Sequence, residues 1–226
     1  MHRLLIVVLS LLIAGNAAFA VAKPHVINFG KWTVVPLPLD NEEDNEEKET
    51  AQGKIRALVI DGRVKEFTTG LPHEVTDRLF VVRRIFRLND LLPQENAASP
   101  RWRWQRGGWL LVDRATGHVS SLALPDFDSE YSGGTWYRDY VAYCGLSDDG
   151  KKRFAIVAQL GRRKAVLKTP LDDAGTDEPA CAAPVWQRQP VRVSFAAGEG
   201  QKITYSIRGH AAGLVTEDQD QDEGEQ

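Results

Sequence analysis

The 226 residues contain only two cysteines and one methionine, and neither cysteine belongs to a Cys-x-x-Cys pair. That excludes zinc ribbons and thioredoxin-like redox centres. Outside His2, the histidines (His25, His73, His118 and His210) are scattered, and no two share a His-x-x-x-His spacing. No serine sits in a Gly-x-Ser-x-Gly elbow, so the commonest extracellular hydrolase signature is missing. Glycine-rich phosphate loops are absent, which removes the nucleotide-binding folds that depend on them. From Lys31 onward no helical period is sustained, and no apolar run exceeds the one at the start of the chain.

That opening run carries the clearest signal. Arg3 is followed by an apolar stretch from Leu4 to Ile13, broken only by Ser10. Gly15 and Asn16 end it, and two small-x-small sites follow, Ala18-Phe19-Ala20 and Ala20-Val21-Ala22. Charge, short apolar core and small-residue exit, in that order, describe a secretory signal peptide over residues 1–22. The run is too short to cross a bilayer permanently, and no cysteine follows it for lipid attachment. The mature chain is expected in the periplasm or secreted. There, Cys144 and Cys181 are expected to form one disulfide, closing a loop at about 3.8 kcal/mol on chain-entropy reasoning.

Charge is segregated along the chain. Seven acids crowd Asp40 to Glu49 and six crowd Glu217 to Glu225, and the remainder of the mature chain carries 26 basic and 18 acidic residues. Runs of like charge repel and resist burial, so an acidic loop at 40–50 and an acidic disordered tail at 211–226 are expected. They promote solubility, or they fold back to shield a basic body from anionic surfaces.

Between the leader and that tail, residues 23–210 read as a single all-β domain. Short runs of Val, Ile, Phe, Trp and Tyr alternate with Gly, Pro, Asp and Asn. The expected strands are Lys31 to Val35, Ile55 to Ile60, Arg63 to Thr68, Arg78 to Leu88, and Arg101 to Arg106, which Trp109 to Val112 resumes after the break at Gly107-Gly108. They continue with His118 to Leu124, Tyr137 to Leu146, Phe154 to Leu160, Lys164 to Thr169, Val191 to Ala196 and Lys202 to Ile207. Asp61-Gly62 between two such runs is a hairpin signal. Arg78 to Leu88 is apolar on both sides, as a central strand would be. About eleven mostly antiparallel strands suit a partial or small propeller, or a two-sheet sandwich.

Two stretches carry a resemblance. Ser147-Asp148-Asp149-Gly150-Lys151 with the strands that follow it, and Trp109-Leu110-Leu111-Val112-Asp113 with Thr116-Gly117, resemble blades of exported WD40-like β-propellers. The likeness covers about a third of the chain, with no clean repeat period, and implies a scaffold for binding other macromolecules.

Candidate chemistry is sparse. His73, Glu74 and Asp77 lie together between strands, the nearest approach to an acid/base cluster. Asp126, Asp128 and Glu130 alternate acids in the manner of an oxygen-ligand loop for Ca²⁺, but Tyr131 and Tyr137 stand where an EF-hand needs Gly and Glu. No metal site or cofactor is expected. In Arg101 to Arg106 the residue types alternate, so Trp102 and Trp104 share one strand face while Arg101 and Arg103 share the other. Such tryptophans either fill a core or stack on sugar rings or bases beside the arginines.

These features point to an exported, non-catalytic protein that binds or scaffolds at the cell envelope, with a protein or envelope glycan as partner and no nucleic acid. An extracytoplasmic, carbohydrate-active hydrolase using Glu74, Asp77, Asp126 and Asp128 is the alternative. A third reading is half of a larger propeller, completed by self-association.

Overall fold

The computed structural model describes residues 23–38, 50–89, 91, 100–171, 182–197 and 201–215. The leader, the acidic loop, Cys181 and the tail from residue 216 lie outside the described residues. Within them are fifteen strands in three antiparallel sheets, no helix and no closed barrel.

The first sheet holds β1 (Ile27–Phe29), β2 (Thr33–Pro38), β3 (Thr50–Ile60), β4 (Arg63–Glu74), β5 (Leu79–Asn89), β6 (Trp102–Asp113) and β7 (His118–Ser121). Its order is β1-β3-β4-β5-β6-β7, and β2 also pairs with β3. The expected hairpin at Asp61-Gly62 is present, with φ of 52° and 77°, the left-handed values such a two-residue turn requires. The Asp61 carboxylate does a second job. It accepts the Val26 N–H at 3.0 Å and pairs with His25 Nδ1 at 2.7 Å, fastening the chain just ahead of β1.

Both faces of this sheet are apolar, as β5 suggested. On one face Leu58 and Ile60 meet Phe80, Val82, Leu110 and Val112, with Ile27 and Phe29 of β1 closing over them. On the other, Val35 and Leu37 of β2 pack with Ile55, Ile85 and Trp104. β1 therefore folds toward one side of the sheet and β2 toward the other, each covering part of it.

The second sheet is a four-stranded meander of β8 (Thr135–Tyr137), β9 (Tyr140–Leu146), β10 (Arg153–Gln159) and β11 (Leu167–Pro170). The third repeats that plan with β12 (Val185–Gln187), β13 (Arg192–Ala196), β14 (Lys202–Arg208) and β15 (Ala211–Leu214). Ala142, Cys144, Ala155 and Val157 of the second sheet pack on Val193, Phe195, Tyr205 and Ile207 of the third. Val141, Tyr143, Ile156 and Ala158 line the second sheet's other face, with Phe127 and Trp136. Trp136 in turn meets Trp109 of the first sheet at 5.5 Å. The second sheet is thus a middle layer.

The third sheet ends the stack. Arg192, Ser194, Thr204 and Ser206 pair across its outward side, where the hydroxyls of Ser194 and Thr204 bond each other at 2.8 Å. Among the described residues this side is mainly polar, with Val185, opposite Ser194, the exposed apolar residue on it.

Three expectations change. The run from Tyr137 to Leu146 is two strands, because β8 and β9 turn at Arg138-Asp139 with Arg138 at φ 53°. Gly107-Gly108 does not separate two strands; it bulges inside one continuous β6. Residues 211–214 belong to the third sheet, turned back at Gly209-His210, so the ordered body extends beyond 210. The Ser147-to-Lys151 turn joins β9 to β10 as read, with the Gly150 N–H donating to Ser147 O at 2.8 Å.

Phe195→Ala is expected to destabilise the fold by about 3–5 kcal/mol, because Phe195 is fully buried between two sheets. Ser194→Ala, on the polar side, is expected to cost about 1 kcal/mol or less. Urea titrations of both variants check the contrast, and equal losses would contradict this layering.

Candidate functional site

Two irregularities in neighbouring strand pairs open a cleft of roughly 370 Å³ on the first sheet. β4 slips against β5 between Thr69 and His73, where Gly70 takes a φ of 69° that side chains rarely adopt. One strand over, Arg83 pairs with Trp109 and Ile85 with Arg106, so Gly107 and Gly108 together face the single residue Arg84. A Cβ on Gly107 would come within 3.2 Å of the Arg84 side chain, which is why this bulge takes glycine. Thr69, Leu71, Arg83, Arg106 and Trp109 line the cleft from the sheet, and residues 129–134 form its other wall.

Arg83 ties that wall to the sheet. Its Nη2 donates to Ser129 O at 2.6 Å, and its guanidinium stands 4.8 Å from the Phe127 ring centre and 5.6 Å from that of Trp109. The wall is further held by Asp128, whose carboxylate accepts the N–H groups of Glu130 and Tyr131 at 2.7 and 2.9 Å. Ser132, 3% exposed, donates to Cys144 O at 2.6 Å and so pins the loop to the second sheet. Nearby, the buried Tyr143 hydroxyl donates to Pro125 O at 2.7 Å, and burial pushes its pKa up.

The alternating acids do not form a cation loop. Asp128 is committed to the loop's own backbone, Asp126 is paired with Lys168 at 2.9 Å, and Glu130 accepts a bond from Gln105. Among the described residues no three His, Cys, Asp or Glu side chains gather in a way that would hold a metal.

His73 is separated from Glu74 and Asp77, which both meet Arg114. As neighbours on β4, His73 and Glu74 point to opposite sides of the strand. His73 Nε2 bonds Arg138 O at 2.7 Å, while its ring stacks 5.8 Å from Trp136, binding the first sheet to the second. Arg114 clasps both Glu74 oxygens at 2.7 and 2.8 Å, and that guanidinium holds the carboxyl below the usual carboxylate range. Arg114 also donates to the Asp77 backbone carbonyl at 3.3 Å. A parallel clasp joins Arg78 to Asp113 at 2.8 and 2.5 Å, depressing the Asp113 pKa strongly.

The alternating Arg/Trp segment starts β6. Trp104 is half-buried, packed edge-on to Phe67 at 5.2 Å and against Val35, Leu37 and Ile85. Trp102 is 54% exposed. Arg101 and Arg103 are exposed on the opposite side of the strand. One tryptophan joins a core and the other faces solvent, so the core reading holds for Trp104 and not for Trp102. Arg87 of β5 stands over both indoles, 5.3 Å from Trp104 and 5.8 Å from Trp102.

Cys144 is 1% exposed in the second sheet, and among the described residues no cysteine is free. Its expected partner, Cys181, lies outside them.

Sequence reasoning missed Arg83 and Arg87, since nothing in their own segments distinguishes them; Arg106 it placed on the strand face of Trp102 and Trp104. The glycines Gly70, Gly107-Gly108 and Gly133-Gly134 were the available signal, because all three places border the cleft.

Arg114→Gln is expected to cost about 0.5–1 kcal/mol at neutral pH, the worth of a well-formed surface pair. Glu74 titrates lower in the folded chain than its ordinary 4.5. Its contribution is therefore complete above that value and disappears as pH falls through the depressed one. Urea midpoints of wild type and variant should converge in acid, and a gap unchanged with pH would refute the assignment. Compared with known protein families and with curated proteins, the chain matches none.

Proposed function

We propose that this chain is an exported, non-catalytic β-sheet protein that binds or scaffolds at the cell envelope. The observation that carries this reading is the composition of the cleft. Arg83, Arg106 and Trp109 line it, and of the described residues around it only Glu130 bears a carboxylate, itself bonded to Gln105. Glycoside hydrolysis ordinarily needs two carboxyl groups flanking one bond. Glu74 and Asp126, which the hydrolase reading would recruit, are each spent on a cation instead. Indole faces and guanidinium groups around a concavity are the equipment of recognition.

The rest of the reading comes from the sequence. The leader over residues 1–22 sends the chain across the inner membrane, and the oxidising compartment beyond it joins Cys144 to Cys181. The two stacked meanders serve as a propeller-like scaffold, and the partner is a protein or glycan of the envelope.

The mature chain should sediment with isolated cell-envelope preparations, and Arg106→Glu should weaken that association by about tenfold or more. Glu130→Gln should leave it unchanged. A chain that stays in the supernatant overturns the reading. Soluble fragments released by wild type but not by Glu130→Gln would instead favour a hydrolase.

A further inference from the structure

A sheet edge offers unpaired N–H and C=O groups to any strand that reaches it, so folds guard their edges. Among the described residues most of the guards are visible. The edge formed by β1 and β2 carries Pro36 and Pro38, and β11 carries Lys168 and Pro170. β8 and β12 shield each other, Thr135 Oγ1 donating to Pro184 O at 2.8 Å and Trp186 Nε1 to Thr135 O at 3.1 Å. β15, Ala-Ala-Gly-Leu, has neither charge nor proline. β7 is as bare, but of these two edges only β15 shows an exposed large apolar side chain, Leu214 at 57%.

Register shows which groups of β15 look outward. The Val215 N–H donates to Thr204 O at 2.9 Å, and Leu214, Gly213 and Ala212 pair with Tyr205, Ser206 and Ile207. Hydrogen-bonded and non-bonded pairs alternate along an antiparallel ladder. Val215, Gly213 and Ala211 therefore bond to β14, while the N–H and C=O groups of Ala212 and Leu214 point away from it. Ile207 agrees, since its N–H goes to Val191 O on the β13 side at 2.9 Å. Leu214 shares a face with Tyr205 and Ile207, which are buried against the second sheet, so that apolar layer is left open at β15. Gly213 has no task within the chain. Its φ is not left-handed, and a Cβ there would meet nothing within 4 Å. A glycine inside a strand often marks the close approach of another backbone.

We propose that β15 pairs antiparallel with β15 of a second copy of this chain, about a two-fold axis at Gly213. In that register Ala212 of each copy exchanges both N–H···O bonds with the partner's Leu214. The two Gly213 residues form the non-hydrogen-bonded pair at the axis, where Cα atoms stand about 4.5 Å apart and side chains crowd most. Leu214 lies beside the partner's Ala212 on the apolar face, large against small, and is covered. The edge is its own complement, as a two-fold interface requires. Charge fits as well. The sequence runs on from Val215 to Glu217 and Asp218, and the axis directs these acids toward the partner's Arg208, an exposed cation at the β14–β15 turn. A four-residue edge falls short of the roughly 1,200 Å² of stable complexes, so the dimer dissociates on dilution. Pairing presents two copies of the cleft and raises avidity for a repetitive partner. It does not depend on what the cleft binds.

Sedimentation equilibrium of the mature chain, loaded from micromolar to millimolar concentration, tests the pairing. The mass should rise from one chain toward two and stop there, because a two-fold interface closes. Leu214→Pro deletes an N–H that only the partner uses, twice per dimer, and should weaken association by about tenfold or more. Gly213→Val puts a side chain where the two backbones meet, in space that is open within the single chain, and should weaken it as much. Far-ultraviolet circular dichroism of both variants should match wild type. Ser121→Pro removes an outward N–H from β7 in the same way, since there Leu122 is the residue that donates to Trp109 O, and should leave association unchanged. The mass of one chain at every concentration, growth beyond two, or an equal effect of Ser121→Pro would each overturn the proposal. So would folded Leu214→Pro and Gly213→Val chains that associate like wild type.

Discussion

Strand β5 is buried on both faces, and the rest of the arrangement follows from covering it. Phe80, Val81, Val82 and Ile85 are all essentially inaccessible. A strand whose successive side chains point to opposite sides can be buried in this way only if apolar layers exist on each side. β1 and the far half of β3 supply one layer, and β2 with Trp104 supplies part of the other. Near His73 and Trp109 that second side is covered by Trp136 of the second sheet, and the third sheet then covers the second. The stack ends where a face becomes polar, at Ser194 and Thr204.

The cleft lies where this covering is incomplete. Between the part of the face shielded by β2 and the part shielded by the second sheet, β4 and β6 both depart from regular pairing. Bulges bend a strand and re-aim its side chains. Here they leave Arg83, Arg106 and Trp109 beside an open concavity instead of under a layer. Arg83 is satisfied by loop carbonyls and Asp128 gives its carboxylate to loop amides, whereas Trp109 Nε1 and the Tyr131 hydroxyl are buried without a hydrogen-bond partner among the described residues. Several carboxylates serve architecture in the same way, as clasps at strand ends and turns. Glu74 with Arg114, Asp113 with Arg78 and Asp61 with His25 fasten connections that short turns alone would leave loose.

Local pattern made the all-β class legible, along with the Asp61-Gly62 hairpin, the β9–β10 turn and the two-sided burial of β5. Each depends on residues near one another in the chain. The errors also have local causes. Arg138-Asp139 turns the chain without a glycine to announce it, and β1, β8 and β12 have three residues each, too few to display a period. Gly107-Gly108 looks like a turn because glycine serves turns and bulges equally well, and only the presence of β5 alongside distinguishes them.

What the amino-acid order determined by itself is the material: an apolar opening run, strand-forming runs, acids concentrated in a few segments and a basic remainder. These are properties of composition and nearest neighbours, and they persist however the strands pair. Which groups meet was decided by tertiary structure alone. His73 and Glu74, adjacent in the chain, are sent to different partners, whereas Arg87 and Trp104, seventeen positions apart, share one face. Register across a ladder is set by the burial of whole sheets, so no segment read alone contains it.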